Sequence, residues 1–161
     1  MFVATPIAAA SKHDLYAELA DQACGLLHGE RNPIANAANF ASLVWHALPD
    51  INWCGFYFYD GTELVVGPFQ GKPACVRIAL GKGVCGTAAS TRETQLVRDV
   101  HAFEGHIACD SASQSEIVVP LVDGKRLLGV WDVDSPSIAR FDSDDRSGME
   151  RLCAIFIHSL Q

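Results

Sequence analysis

The chain is short of positive charge. Lysines and arginines number 12 against 19 aspartates and glutamates, a net charge of −7. That balance argues against a nucleic-acid partner, which needs a basic face to meet phosphates, and against binding to anionic membrane surfaces. Long apolar runs are missing too: none approaches the ~18 residues of a membrane-spanning helix. There is no internal repeat and no low-complexity segment. The opening stretch, Met1 to Ala10, is mildly apolar, but no basic residue precedes it and Lys12 and Asp14 soon interrupt it. It reads as a loose leader over residues 1–11 rather than a signal peptide. With no export signal, the six cysteines imply free thiols in a reducing compartment, so the expected location is cytoplasmic. The short Cys-x-x-Cys knuckle of most structural zinc sites is also lacking.

What is present fits one domain of 161 residues, with 49% apolar residues to build a core. Lys12 to His28 has Leu15, Leu19, Ala23 and Leu26 at helical spacing, with Gly29 as a stop and Cys24 expected inside the core. Asn32-Pro33 then reads as an N-cap with proline at the first helical position. Ile34, Ala37, Ala41, Trp45 and Leu48 give the second helix an apolar stripe, ended by Pro49. From Asn52 the pattern turns to strands: an aromatic run to Tyr59, a turn at Asp60-Gly61, a return over Glu63 to Val66, and a third strand over Cys75 to Leu80. A short helix is expected over Gly86 to Thr91 and a short strand over Gln95 to Val97. Arg98 to Gln114 has little periodicity, and a connection of that length is usually functional. Two strong strands, Ser115 to Val122 and Arg126 to Val133, precede a last helix capped by Asp142, with Met149, Leu152, Cys153, Phe156 and Leu160 as its buried stripe. The expectation is an α+β fold: a central antiparallel sheet with the terminal helices on one face and a loop-built pocket on the other.

The cysteines divide by context. Cys24, Cys54 and Cys153 lie in apolar or periodic segments, whereas Cys75, Cys85 and Cys109 lie among glycines and polar residues. A thiol reacts as its thiolate and needs a helix N-terminus, a base or a cation to form it near neutral pH. Cys85 lies just before the expected helix start, with Lys82 nearby; Cys109 follows His106, with His101 in the same loop. Spacing leaves three readings open: reactive thiols, inert thiols, or a metal site built from Cys75, Cys85, Cys109 and His106. Several thiols in one loop region also permit a cycle in which one becomes a sulfenic acid and a second condenses with it to a disulfide that an external dithiol resets.

Three acids accompany them. Asp132 and Asp134 alternate along one strand and so share a face. Glu116 opens the preceding strand, and register decides whether it joins them. A three-residue Asp123-Gly124-Lys125 loop pairs Glu116 with Asp132 on the same face, and that is the expected register. Three neighbouring carboxyls repel, so at least one should keep its proton near neutral pH and be able to act as a general acid. The charge that remains suits a ligand ammonium.

The runs Gly67-Pro68-Phe69-Gln70-Gly71-Lys72-Pro73-Ala74-Cys75, Gly81-Lys82-Gly83-Val84-Cys85-Gly86-Thr87-Ala88-Ala89, Asp99-Val100-His101, His106-Ile107-Ala108-Cys109-Asp110 and Ser115-Glu116-Ile117-Val118-Val119-Pro120 closely resemble the free methionine-(R)-sulfoxide reductases, single-domain enzymes of the GAF fold. The match covers at least Asn52 to Phe141. The resemblance implies that Cys109 attacks the sulfoxide sulfur and becomes the sulfenic acid. It implies that Cys75 is the resolving thiol that forms a disulfide with it, and that Cys85 is a third cysteine, an alternative disulfide partner. It casts Trp53 as the aromatic wall for the substrate's methyl group, and Glu116, Asp132 and Asp134 as the cluster that holds the substrate and helps protonate the sulfoxide oxygen. It further implies thioredoxin as the reductant, no metal or bound cofactor, and a homodimer. Two other readings compete. One is a GAF-type sensor that binds a small ligand without catalysis, since fold alone does not decide function. The other is a metal-binding redox sensor using the same thiols.

Overall fold

The computed structural model describes residues 2–105 and 110–161. Its elements follow in order: α1 (Lys12–Leu27), α2 (Pro33–Ala47), β1 (Trp53–Tyr59), β2 (Glu63–Gly71), β3 (Arg77–Ala79), α3 (Gly83–Thr91), β4 (Gln95–Val97), β5 (Ser115–Asp123), β6 (Arg126–Ser135) and α4 (Ser143–Ser159), with a 3-10 turn at Val100–Ala102. The strands form one antiparallel sheet in the order β3-β2-β1-β6-β5-β4. None of the described helices is long and apolar enough to cross a membrane.

Strand alternation divides the sheet into two faces. Cys54 and Phe56 of β1, Ile117, Val119 and Leu121 of β5, and Trp131 and Val133 of β6 pack under α1, α2 and α4. Phe40 of α2 meets Phe56, Trp131 and Phe156 edge-on, with ring centroids 4.8–5.7 Å apart. Fully burying side chains of this size stabilises by roughly 1.5–3 kcal/mol each, so this layer carries most of the stability. The opposite face carries Trp53, Tyr57, Val118 and Val130, covered by α3 and β3 through Val84, Ala88 and Ile78. The expected α+β arrangement, with the terminal helices on one face, is the one observed.

The helix ends form as their sequences direct. Asn32 accepts from the N–H groups of Ile34 and Ala35. Asp142 and Asp145 form a reciprocal capping box at α4. Asp145, wholly buried, also accepts from Tyr16 Oη at 2.9 Å and pairs with Lys12 and Arg140. Arg140 in turn donates to the Pro49 carbonyl at 3.1 Å. One carboxylate thus ties α1, α4 and the end of α2 together. Before α1, Thr5 and Gln22 exchange two hydrogen bonds.

Several local expectations are corrected. The buried stripe of α1 is Tyr16, Leu19, Ala20, Ala23 and Leu27. Cys24 lies one residue, or about 100°, beyond it and is exposed. In α2 the sheet-facing residues are Ala37, Phe40, Ala41 and Val44, and Ile34 is exposed. Both helices carry apolar residues over more than one stripe, and the sheet selects which is buried. β3 begins at Arg77 rather than Cys75, leaving Cys75 in the preceding loop. α3 begins at Gly83 rather than Gly86, which puts Cys85 inside its first turn.

Candidate active site

Register places the site residues in rows across the three central strands. Trp53 of β1 pairs with Asp134 of β6, which pairs on its other side with Glu116 of β5. In the next row on this face Gly55, Asp132 and Val118 lie side by side. The expected pairing of Glu116 with Asp132 is therefore off by two residues, although the shared face is right. The reason lies at the hairpin. Asp123 pairs with Arg126 across a two-residue Gly124-Lys125 turn, and a bulge between Leu121 and Val122 adds one further residue on β6. The two shifts add to two, and the side-chain period of two keeps the acids together.

Trp53 is buried, and its indole lies along β1 over Gly55. A Cβ at Gly55 would meet the indole at 2.7 Å and Phe69 Cβ at 2.3 Å, so only glycine leaves room for the ring there. Phe69 and Tyr57 stack on the indole at 5.3 and 5.8 Å, and its Nε1–H donates to the Lys72 carbonyl at 3.1 Å. That bond fastens the Lys72-Pro73-Ala74 segment over the pocket. The pocket is lined by Trp53, Tyr57, the 72–74 segment, Val84, Cys85, Asp110, Ser113 and the three acids.

Glu116 and Asp132 are each only 6% exposed. Burial, followed by the charges of Asp132 and Asp134, pushes the Glu116 carboxyl well above its usual range. Burial raises Asp132 to about 7 against the hydrogen bonds it receives from Cys85 and Glu116. Asp134 is raised by burial and by Asp132, partly offset by a hydrogen bond from Ser113. Asn52 donates to Ser113 Oγ at 3.1 Å and to Asp110 at 3.3 Å, so an Asn52–Ser113–Asp134 chain orients the last acid. Asp132 Oδ1 has no hydrogen-bond partner among the described residues. The cluster keeps protons near neutral pH, as expected, but burial contributes more to this than the repulsion between the acids on which the expectation rested.

The thiols meet three different situations. Cys85 Sγ lies 4.0 Å from Glu116 Oε1. Burial and the charges of Asp132 and Glu116 raise its thiol well above the ordinary range. The helix start and Lys82 do not activate it; desolvation and like charge outweigh them. Cys75 is disulfide-bonded and half-buried beside this pocket. That removes it, in this state, from the metal set read in the sequence. Cys109 and His106 lie outside the described residues. Cys54 and Cys153 are buried free thiols in the helix-side core. Sequence reading missed Asn52, Tyr57, Gly55, Asp110 and Ser113. Only Gly55 and Tyr57 had a visible signal, sharing the alternation phase of Trp53.

A curled antiparallel sheet, with the terminal helices on one side and a pocket on the other, is the architecture of a GAF domain, and the GAF domain family model matches residues 13–158. Within that class, the chain belongs to the family of the free methionine-R-sulfoxide reductases. It is 49% identical over 144 residues to the free methionine-R-sulfoxide reductase of Escherichia coli K12, covering 89% of this chain and 87% of that one. The free methionine-R-sulfoxide reductase of Neisseria meningitidis, solved in complex with its substrate, superposes with a TM-score of 0.95 at 41% identity, covering 99% of this chain and 96% of that one. A protein from Burkholderia vietnamiensis described as a GAF sensor is 69% identical, with a TM-score of 0.91 over 94% of this chain and 99% of that one.

Proposed function

We propose that the protein is a reductase that converts free L-methionine-(R)-sulfoxide to methionine, through a cysteine sulfenic acid and an intramolecular disulfide. The observation that carries this reading is a disulfide-bonded Cys75 beside a pocket lined by both Trp53 and buried, proton-holding carboxyls.

The chemistry needs each part. A sulfoxide oxygen leaves poorly until protonated, and Glu116, Asp132 and Asp134 hold protons close to where it would sit. Cys109 is the nucleophile. Its sulfur bonds to the sulfoxide sulfur, and collapse transfers the oxygen, so that thiol plus sulfoxide gives sulfenic acid plus thioether. Cys75 then attacks the sulfenic acid sulfur, forming the disulfide and releasing water. Thioredoxin, with two thiols, restores both cysteines. Cys85, held protonated, is the alternative partner. Trp53 receives the methyl group, the residual negative charge attracts the ammonium, and the substrate carboxylate lies against backbone N–H groups. A site that takes both charged ends refuses a peptide-bound residue, which has neither. On this reading the enzyme keeps its thiols reduced in the cytoplasm and works as a homodimer, which sedimentation equilibrium tests.

The deciding experiment is NADPH oxidation with thioredoxin, thioredoxin reductase and this protein, offering each epimer of free methionine sulfoxide and an oxidised peptide in turn. Turnover of the free R epimer alone is expected. Peptide turnover at a comparable rate would overturn the enclosed-pocket argument. Absence of turnover with either epimer, from protein with reduced thiols, would favour the ligand-binding sensor suggested by the description of the Burkholderia relative.

A further inference from the structure

We infer that the pocket is also a binding site for a divalent cation of the zinc class, held by Cys85, Glu116 and Asp132. The Cys85 sulfur and one carboxylate oxygen from each acid all lie within 4.8 Å of one another, and all three residues are buried. Tetrahedral zinc, with Zn–S of about 2.3 Å and Zn–O of about 2.0–2.2 Å, needs ligand atoms roughly 3.3–3.7 Å apart. The 4.0 Å between Cys85 Sγ and Glu116 Oε1 is already near that value. Every other separation in the set is at most 4.8 Å, so the closure that binding requires is about 1 Å.

A second observation points to a ligand independently of the acids' grouping. Asp132 Oδ1 is buried, belongs to a residue lining the pocket and has no hydrogen-bond partner among the described residues. No ion pair among the described residues reaches Asp132 either. A buried carboxylate oxygen left in this way is costly, and a cation satisfies it.

The donor set selects the metal. One sulfur and two carboxylate oxygens suit a borderline ion such as zinc or cobalt. Calcium and magnesium take oxygen ligands only and in greater number. Three protein ligands leave the fourth position of a tetrahedron facing the pocket, open to water. The residues differ from the set read in the sequence, which relied on Cys75. Cys85 is a free thiol while Cys75 is disulfide-bonded, so the site persists in the oxidised protein. Binding exchanges the Cys85 thiol proton and the protons held by the carboxyls for the cation, with the protons passing to solvent. The cation occupies the space a small-molecule ligand of the pocket would use, so the two exclude each other.

The test is titration of the whole protein with cobalt(II) under argon, in both reduced and disulfide forms. A thiolate-to-cobalt charge-transfer band should appear at one equivalent in both forms and vanish when zinc is added. Cys85→Ser should abolish the band and Asp132→Asn should weaken cobalt binding at least tenfold, with circular dichroism showing both variants folded. Cys75→Ser and Cys109→Ser should keep it. A band that is absent, that survives Cys85→Ser or that requires Cys109 overturns the assignment. The cation site does not depend on the reductase activity. A band without sulfoxide turnover leaves the cation site standing and removes the reductase; turnover without a band does the reverse.

Discussion

Cys75 and Cys85 are ten positions apart and meet opposite environments. Cys75 sits in a loop, half-buried and disulfide-bonded. Cys85 is 4% exposed in the first turn of α3, against two carboxyls that disfavour its thiolate. A resolving thiol must travel to a neighbouring sulfur, which a loop permits and a packed helix turn does not. Cys75→Ser should therefore complete one stoichiometric reduction of methionine-(R)-sulfoxide and then fail to recycle through thioredoxin. Methionine released per protein in a single-turnover assay, followed by the coupled assay, reads both halves. Normal cycling by Cys75→Ser would make Cys85 the partner and require the first turn of α3 to unwind. The acids were legible from residue type and alternation, and Trp53 from the family resemblance. The burial of Cys85 was not, since it depends on α3 starting at Gly83, three residues earlier than the glycine spacing suggested.

Among the elements, the β5–β6 hairpin shows what periodicity preserves and what it loses. Alternation put Asp132 and Asp134 on one face, and the three-residue loop expected at Asp123-Gly124-Lys125 added Glu116, but the pattern carries no information about the Gly124-Lys125 turn or the bulge at Leu121/Val122 that set the partner. Helix stripes were misassigned for a related reason: where apolar residues exceed one face, the packing partner decides. The α1–α4 contact illustrates such a partner. Gly148 faces the Tyr16 ring so closely that a Cβ would fall 2.1 Å from Tyr16 Cγ. On an exposed helix face, glycine to alanine would gain about 1 kcal/mol of helix propensity. Here the ring is pinned by the Tyr16 Oη bond to Asp145 and cannot yield without breaking it. Overpacking of this kind costs about 1–3 kcal/mol, so steric overlap outweighs propensity. Gly148→Ala should lower the thermal midpoint, by about 2–4 °C per kcal/mol for a domain of this size, with little change in ligand affinity at the far face. A midpoint that rises would show that the α1–α4 gap can open at low cost.

At the scale of the whole molecule the two faces of the sheet pull stability in different directions with pH. On the helix side, the Lys12 ammonium beside Asp142 holds that carboxyl down at about 2. A depressed carboxyl contributes stability that is present above its unfolded value and is lost as pH falls toward 2. On the pocket side the sign reverses. Asp132 is raised to about 7, and Glu116 and Asp134 are raised as well, chiefly by burial. Between the unfolded carboxyl range near pH 4 and about 7 the folded protein binds more protons than the unfolded chain, so stability falls as pH rises through that window. A tenfold change in proton affinity corresponds to about 1.4 kcal/mol, which makes the Asp132 contribution alone a few kcal/mol. The helix-side contribution is smaller, because Asp142 is half-exposed and screened. The thermal midpoint should therefore be higher at pH 5 than at pH 8. Asp132→Asn, which keeps the shape and removes the charge, should flatten that difference and raise the midpoint at pH 8 while abolishing turnover. The measurement is a set of thermal melts of both proteins from pH 4 to 9. A wild-type midpoint that climbs from pH 5 to 8 would mean that the pocket acids are ionised and solvated in the folded state. That result would remove the proton source that the proposed sulfoxide reduction requires.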